Sequence, residues 1–352
     1  MKLKLIFTLD YEIHGNGDGS PYNLMIEPTH RLMRLLEKYK ARLVILADIG
    51  EILKFREYFE STGIDHFFYN SIVEQLQTAI RNGHDVQLHI HSSYFNSSYK
   101  NGKWHQDWAE YNMAALPFSR IDEMVKTGKD FLESILKPID PEYRCNIFRA
   151  ANWSMVPSEN IIKALLKNGF IIDTSVYKWG RQSGLVNYDY SDAYSNLFPY
   201  PVSVNDINKK DSNGRLKEYP IYSENRYFLN LITPIRIFRY LRAKKHLHNF
   251  PSHLITKPKT RASAFRTITS MLLFLFRKYP WKLDYNQATS HQMITAIKRI
   301  SRQNSENTDE TTVVLIGHSK TFVRYNEYVL NIFFKNISKH ENITFGIFPQ
   351  NN

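Results

Sequence analysis

At 352 residues and 43% hydrophobic content, the chain is long enough for one large α/β domain or two ordinary ones, and too apolar to be disordered throughout. A single cysteine, Cys145, excludes an internal disulfide, and its apolar neighbours Ile147 and Phe148 mark it as a buried, inert thiol. The net charge of +12 is unevenly spread: Asn225 to Leu283 contains no acid yet carries thirteen of the 46 lysines and arginines.

The first apolar stretch ends at Asp10 after roughly five residues, short of the ~7–15 of a signal peptide. Lys4 to Leu9 therefore reads as a strand. No apolar run approaches the ~18–20 residues of a membrane span. A soluble or peripheral cytoplasmic protein is expected.

Strand-like and helix-like patterns then alternate. Leu32, Leu35, Leu36 and Tyr39 follow helical spacing, with Thr29 as the expected N-cap. Arg42 to Leu46 is a second strand. Ile72, Val73, Leu76 and Ile80 form a helical stripe closed by Gly83. Val86 to Ile90 is a third strand, Ile121 to Leu136 a helix stopped by Pro138, and Cys145 to Phe148 a strand. A helix capped by Ser158 ends at Gly169, and Phe170 to Ile172 is again a strand. Such alternation predicts a parallel sheet with helices outside it. Asn187 to Asn213 is polar and reads as a long loop, followed by a short strand at Glu218 to Ile221. Helices around His291 to Ile300 and Asn326 to Lys335, with strands Thr312 to Ile316 and Ile343 to Phe348, complete the chain.

Five polar patches lie at the ends of apolar runs: Asp10-Tyr11-Glu12, His89-Ile90-His91, Arg149, Asp173-Thr174-Ser175 and Gly317-His318-Ser319. Catalytic groups sit in this way at the carboxyl ends of barrel strands. Residues two apart on a strand share a side, so Asp10 pairs with Glu12 and His89 with His91. Two imidazoles and a carboxylate are the common ligand set of a hydrolytic zinc site. A second carboxylate can serve as base, a distant histidine can protonate a leaving amine, and an arginine can orient a carboxylate.

The order of these patches resembles the polysaccharide deacetylases of the NodB-homology superfamily. Thr8-Leu9-Asp10-Tyr11-Glu12 stands at the family's first motif, His89 and His91 at the second, Arg149 at the third, Asp173 at the fourth and Leu315-Ile316-Gly317-His318 at the last. Leu9-Asp10-Tyr11-Glu12 and Gln87-Leu88-His89-Ile90-His91 look like the divergent WbmS-like branch of bacterial O-antigen clusters. The resemblance implies an irregular (β/α)7 TIM-like barrel that removes an N- or O-acetyl group from a sugar with a divalent metal, Zn2+ being the expected ion. It assigns Glu12, His89 and His91 as metal ligands and Asp10, Arg149, Asp173 and His318 as catalytic groups. Tyr11 replaces the family's second Asp and Ser93 its second histidine, which leaves Asp10 open as an alternative carboxylate ligand. A second function class is a catalytically inactive barrel that binds glycan or membrane. Glycoside cleavage would require the pair Asp10 and Asp173.

One barrel over 1–352 with a basic helical insertion at 225–283 is the expected organisation. The insertion's cations, interleaved with Ile235, Phe238, Leu241 and the run 271–276, suggest contact with an anionic membrane surface. They also suggest a phosphate-bearing substrate, such as a lipid-linked or nucleotide-linked glycan. No nucleic-acid-binding module is recognisable.

Overall fold

The computed structural model describes residues 2–237, 276–304, 306 and 309–349. The chain begins with β1 (Lys2–Tyr11), α1 (Glu27–Lys38), β2 (Leu43–Asp48), α2 (Ile49–Thr62), α3 (Tyr69–Arg81) and β3 (Asp85–Ile90). A small hairpin, β4 (Ser98–Lys100) and β5 (Lys103–His105), precedes α4 (Phe118–Leu136), β6 (Ile147–Ala150), α5 (Ser158–Lys167) and β7 (Ile172–Asp173). Short strands follow: β8 (Arg181–Gln182), β9 (Tyr188–Asp189), β10 (Tyr200–Ser203), β11 (Asp206–Lys210), β12 (Lys217–Glu218) and β13 (Ser223–Tyr227). After β14 (Lys278–Lys282) come α6 (Ser290–Gln303), β15 (Glu310–His318), α7 (Arg324–Ile337) and β16 (Ile343–Phe345).

Seven strands run parallel in the order β12-β7-β6-β3-β2-β1-β15. β10 and β11 extend this run antiparallel, and β16 pairs with the start of β1. The sheet curls until its ends meet: just past β12, Ile221 bridges Val314 of β15. The Tyr222 amide donates to the Val314 carbonyl at 3.1 Å. β2 and β3 are buried along their whole length, as strands covered on both faces must be.

The α/β class expected from the alternation is present, but the (β/α)7 regularity is not kept after β7. The supposed loop 187–213 contains β9, β10 and β11. Tyr200, Val202 and Ile207 are buried there at strand spacing, a signal obscured by the polar residues between them. α2 also escaped the periodicity reading. It starts directly from β2, with the Asp48 carboxylate capping the Gly50 amide at 3.1 Å. Thr29 is not a cap, because α1 begins earlier, at Glu27-Pro28, after a wide π-type turn over Tyr22–Ile26. Ser158 opens α5 without capping it; its hydroxyl donates to the Met155 carbonyl. Gly83 and Gly169 take positive φ, +76° and +77°, where a helix end needs it. Cys145 is fully buried, which pushes its thiol up.

Gly317 leaves room for the final site strand. A Cβ there would fall 2.2 Å from the Tyr285 ring and 2.3 Å from Asn286 Oδ1. Tyr285 is fixed by its hydroxyl, which donates to the Thr8 carbonyl at 2.9 Å. Asn286 holds both the amide and the carbonyl of His318, at 2.9 and 3.2 Å. Gly317→Ala is therefore expected to cost about 1–3 kcal/mol by overpacking and to displace His318. A urea midpoint equal to the parent's would contradict this.

Among the described residues no helix is long and apolar enough to cross a membrane. Most of the basic insertion, residues 238–275, lies outside the described residues. At its base β13 and β14 form an antiparallel pair from Ser223↔Lys282 to Tyr227↔Lys278. Two of the thirteen cations do not present a solvated basic face. Arg226 lies 3.4 Å over the Trp281 ring and donates to Glu224 at 2.8 Å. Lys282 is turned inward against Trp153.

Candidate active site

Strand register assembles the site. Asp10 stands beside His318, Asp48 beside His89, and His89 beside Arg149. Neighbours in register share a face of the sheet, so these side chains converge from β1, β2, β3, β6 and β15. Glu12 and His91 follow two residues beyond Asp10 and His89 on the same side.

Glu12 links the histidines. Its Oε2 is 2.5 Å from His91 Nε2 and 3.5 Å from His89 Nε2, while Oε1 is 2.7 Å from Lys320 Nζ. His89 Nδ1 is 2.8 Å from the Arg149 carbonyl, which can only accept. The Nδ1 proton is thereby fixed and Nε2 points at Glu12. The His91 amide donates to Asp48 Oδ1 at 3.0 Å. Asp10 forms a second centre. Arg149 Nη1 donates to its Oδ1 at 2.7 Å, and His318 Nε2 stands 3.4 Å from Oδ2. The remaining Arg149 donors reach the carbonyl and hydroxyl of Thr174, at 2.7 and 3.3 Å. Trp153 meets His318 edge-on, ring centroids 5.8 Å apart.

Charge balance separates the two carboxylates from their neighbours. Burial pushes Asp10 up, but the Arg149 guanidinium, aided by His318 and His89, outweighs it and holds the carboxyl below its ordinary range. Burial is likewise outweighed at Glu12, by Lys320 and both histidines, and its carboxyl lies well below the usual value. Against the effect of burial, Glu12 and Asp10 lift His89 to about 9. Burial lowers His318. Burial raises Asp48 and Glu51, the latter also through the charges of Asp48 and Glu12.

The donor set fits a divalent metal. Glu12, His89 and His91 offer one oxygen and two imidazole nitrogens, all within 4.8 Å of one another. His89 Nε2 is buried and makes no hydrogen bond. Asp10, Glu12 and His318 form a second group of the same tightness, but Arg149 already occupies Asp10. Tyr11, which follows Asp10 on β1, faces away, and its hydroxyl donates to Gln75 at 2.8 Å. Ser93 donates to Gln106 at 2.7 Å. Neither substitution leaves a gap in the cluster.

The structure brings together six of the seven expected site residues. Asp173 is placed apart. It registers with Phe148 rather than Arg149, so it shares the face of Phe148; Thr174 meets Arg149 instead. Asp173 accepts from the Ser175 hydroxyl and amide, at 2.7 and 3.2 Å, and hydrogen-bonds Glu218. The pair Asp10 and Asp173 thus does not form two facing carboxylates across a cleft. Burial, then the charge of Asp173, raises Glu218 well above its ordinary value. A carboxyl raised in the folded state contributes stability below its unfolded pKa and loses it as pH rises through the folded one. Glu218→Gln keeps a donor toward Asp173 and removes this loss. Its melting temperature should fall less than the parent's between about pH 5 and about pH 8; parallel curves would refute the raised Glu218 carboxyl.

Sequence reasoning missed Lys320, Asp48, Glu51 and Glu218. Lys320 lies two residues past His318, and Asp48 ends the apolar run of β2, so position alone carried a signal for both.

No family model matches the sequence, and no curated protein matches it. The fold resembles solved structures. A GH57-type branching enzyme from the hyperthermophilic archaeon Pyrococcus horikoshii is 12% identical, with a TM-score of 0.51 over 99% of this chain and 70% of that one. A polysaccharide deacetylase described for Mycobacterium smegmatis is 13% identical, TM-score 0.49, over 98% and 87% of the two chains. A family 4 carbohydrate esterase from Streptomyces lividans is 8% identical, TM-score 0.41, over 98% and 93%. At such identities the likeness is one of fold.

Proposed function

We propose that the protein is a metal-dependent hydrolase that removes an acetyl group from a sugar, as the polysaccharide deacetylases do, with motifs that look like those of the WbmS-like branch. The reading puts it in bacterial surface-polysaccharide synthesis of the O-antigen or capsule type, at the cytoplasmic side. One observation carries the chemistry: three buried donors, Glu12, His89 and His91, stand beside an ionised carboxylate held by an arginine and faced by a histidine.

Glu12, His89 and His91 would hold the ion, which supplies an acidified water and polarises the acyl carbonyl. Asp10 is the base. Arg149 keeps it ionised and pins Oδ1, so Oδ2 is the oxygen available to accept a proton. Across from it His318 is the acid for the leaving nitrogen or oxygen, its ring steadied by Trp153 and its backbone by Asn286. Lys320 neutralises the outer oxygen of Glu12.

The test is acetate release. Purified protein loaded with Zn2+, Co2+, Ni2+ or Mn2+ is incubated with N- and O-acetylated sugars and glycans. Acetate without shortening of the glycan supports the reading. No acetate under any metal favours the inactive barrel, and shortened glycan without acetate favours glycoside cleavage.

A further inference from the structure

Lys282 ends β14 opposite Ser223. Two residues later Asp284 bridges Ile316 of β15, the strand that carries His318. The lysine is thereby fastened beside the site. Its Nζ lies 3.2 Å from the centroid of the Trp153 ring and 4.3 Å from that of Tyr177. The same indole touches His318, so the ammonium and the imidazole flank one wall.

This cation is half-buried, and among the described residues no carboxylate forms an ion pair with it. Asp284 and Asp10 attract it only from farther off, while Arg149 and Arg236 repel it. A desolvated charge without a partner is expensive, and the aromatic faces compensate in part. They contact the ammonium without accepting conventional hydrogen bonds from its three donors. Burial holds the amine down, at about 7. An anion placed against it would restore its ordinary protonation.

The geometry points to Lys282 as a specificity-determining residue that pairs with an oxyanion, carboxylate or phosphate, on the sugar that enters the site. This deepens the deacetylase reading and rests on it for the identity of the substrate as an acylated sugar. An anionic group at Lys282 would share one wall of the site with the acyl group presented to Asp10 and His318. Lysine suits either oxyanion, acting as a point charge with rotatable donors.

The experiment uses the zinc-loaded full chain and separates binding from hydrolysis. Affinities for methyl glucoside, glucuronate and glucose 1-phosphate are measured by calorimetry, and acetate release is measured in parallel from N-acetylglucosamine and its 1-phosphate. Glucuronate or glucose 1-phosphate should bind at least about tenfold more tightly than methyl glucoside, and the better of the two identifies the oxyanion. Lys282→Met should erase that ratio, and Lys282→Arg should keep part of it. Lys282→Gln serves if the methionine variant does not fold. A parent without anion preference, or charge-removing variants that retain it, would overturn the proposal. Anion preference without acetate would overturn the deacetylase reading alone; acetate without anion preference would overturn this inference alone.

Discussion

Arg149→Met is expected to abolish activity and to cost about 3–5 kcal/mol of stability, the usual penalty for stranding one member of a buried ion pair. Arg149 is completely buried and Asp10 nearly so, with 0% and 4% side-chain exposure. Water cannot replace the lost donor. In the parent, Asp10 is held low, so its contribution is present above the unfolded pKa and is lost as pH falls through the folded one. Without Arg149 the burial effect dominates and the sign reverses: Asp10 rises, and stability is lost as pH increases. Between about pH 5 and about pH 8 the mutant's urea midpoint should fall, while the parent's Asp10 contribution stays level because its own loss lies at more acid pH. Asp10→Asn added to Arg149→Met should restore most of the stability, since no stranded charge remains, but none of the activity. A single mutant within about 0.5 kcal/mol of the parent would mean that the pair is not a unit.

His89→Ala should eliminate tight metal binding. Zn2+ at 100 times its Kd stabilises a native site by about 2.7 kcal/mol, and the melting temperature of the parent should rise accordingly. His89→Ala should show no such rise and should lose at least about 100-fold in metal affinity. Ser93→Ala is the control that distinguishes this donor set from one that uses position 93. Its hydroxyl is committed to Gln106, so metal content and the Zn2+-induced rise should match the parent's. Metal retained by His89→Ala and lost from Ser93→Ala would relocate the site.

The elements that position the site were legible because each is a buried strand with a simple apolar signature. β2 is an unbroken apolar run closed by Asp48, β15 carries Val313 to Ile316 ahead of His318, and in β1 and β3 the apolar residues Leu9 and Leu88 are followed by Asp10 and His89, the polar residues that turn into the site. Asp173 shows the limit of that rule. It also ends an apolar run, but a one-residue difference in register sends Thr174 to Arg149 and Asp173 to Glu218. Register is set by pairing with a distant strand, which a linear reading does not contain. Lys282 was hidden for a related reason. Counted with twelve other cations it stood in a basic segment expected to meet an anionic surface or a phosphate, and only its pairing with Ser223 and proximity to Trp153 place it beside the site. The strands of 187–213 were hidden by composition, since Tyr, Asn and Ser dominate a segment whose few inward positions are apolar.

The chain leaves the barrel along β13 and re-enters along β14, with Tyr227 facing Lys278 across the pair. Exit and entry are clasped to each other, so the length of what lies between them does not set the position of Ser223, Lys282 or Asp284. Lengthening a connection is thermodynamically cheap, about 0.6 kcal/mol for each doubling. In evolutionary terms the clasp works as a graft point. The intervening stretch could be exchanged, extended or trimmed without moving the candidate site, so what the molecule meets and what it does to it could change on separate clocks.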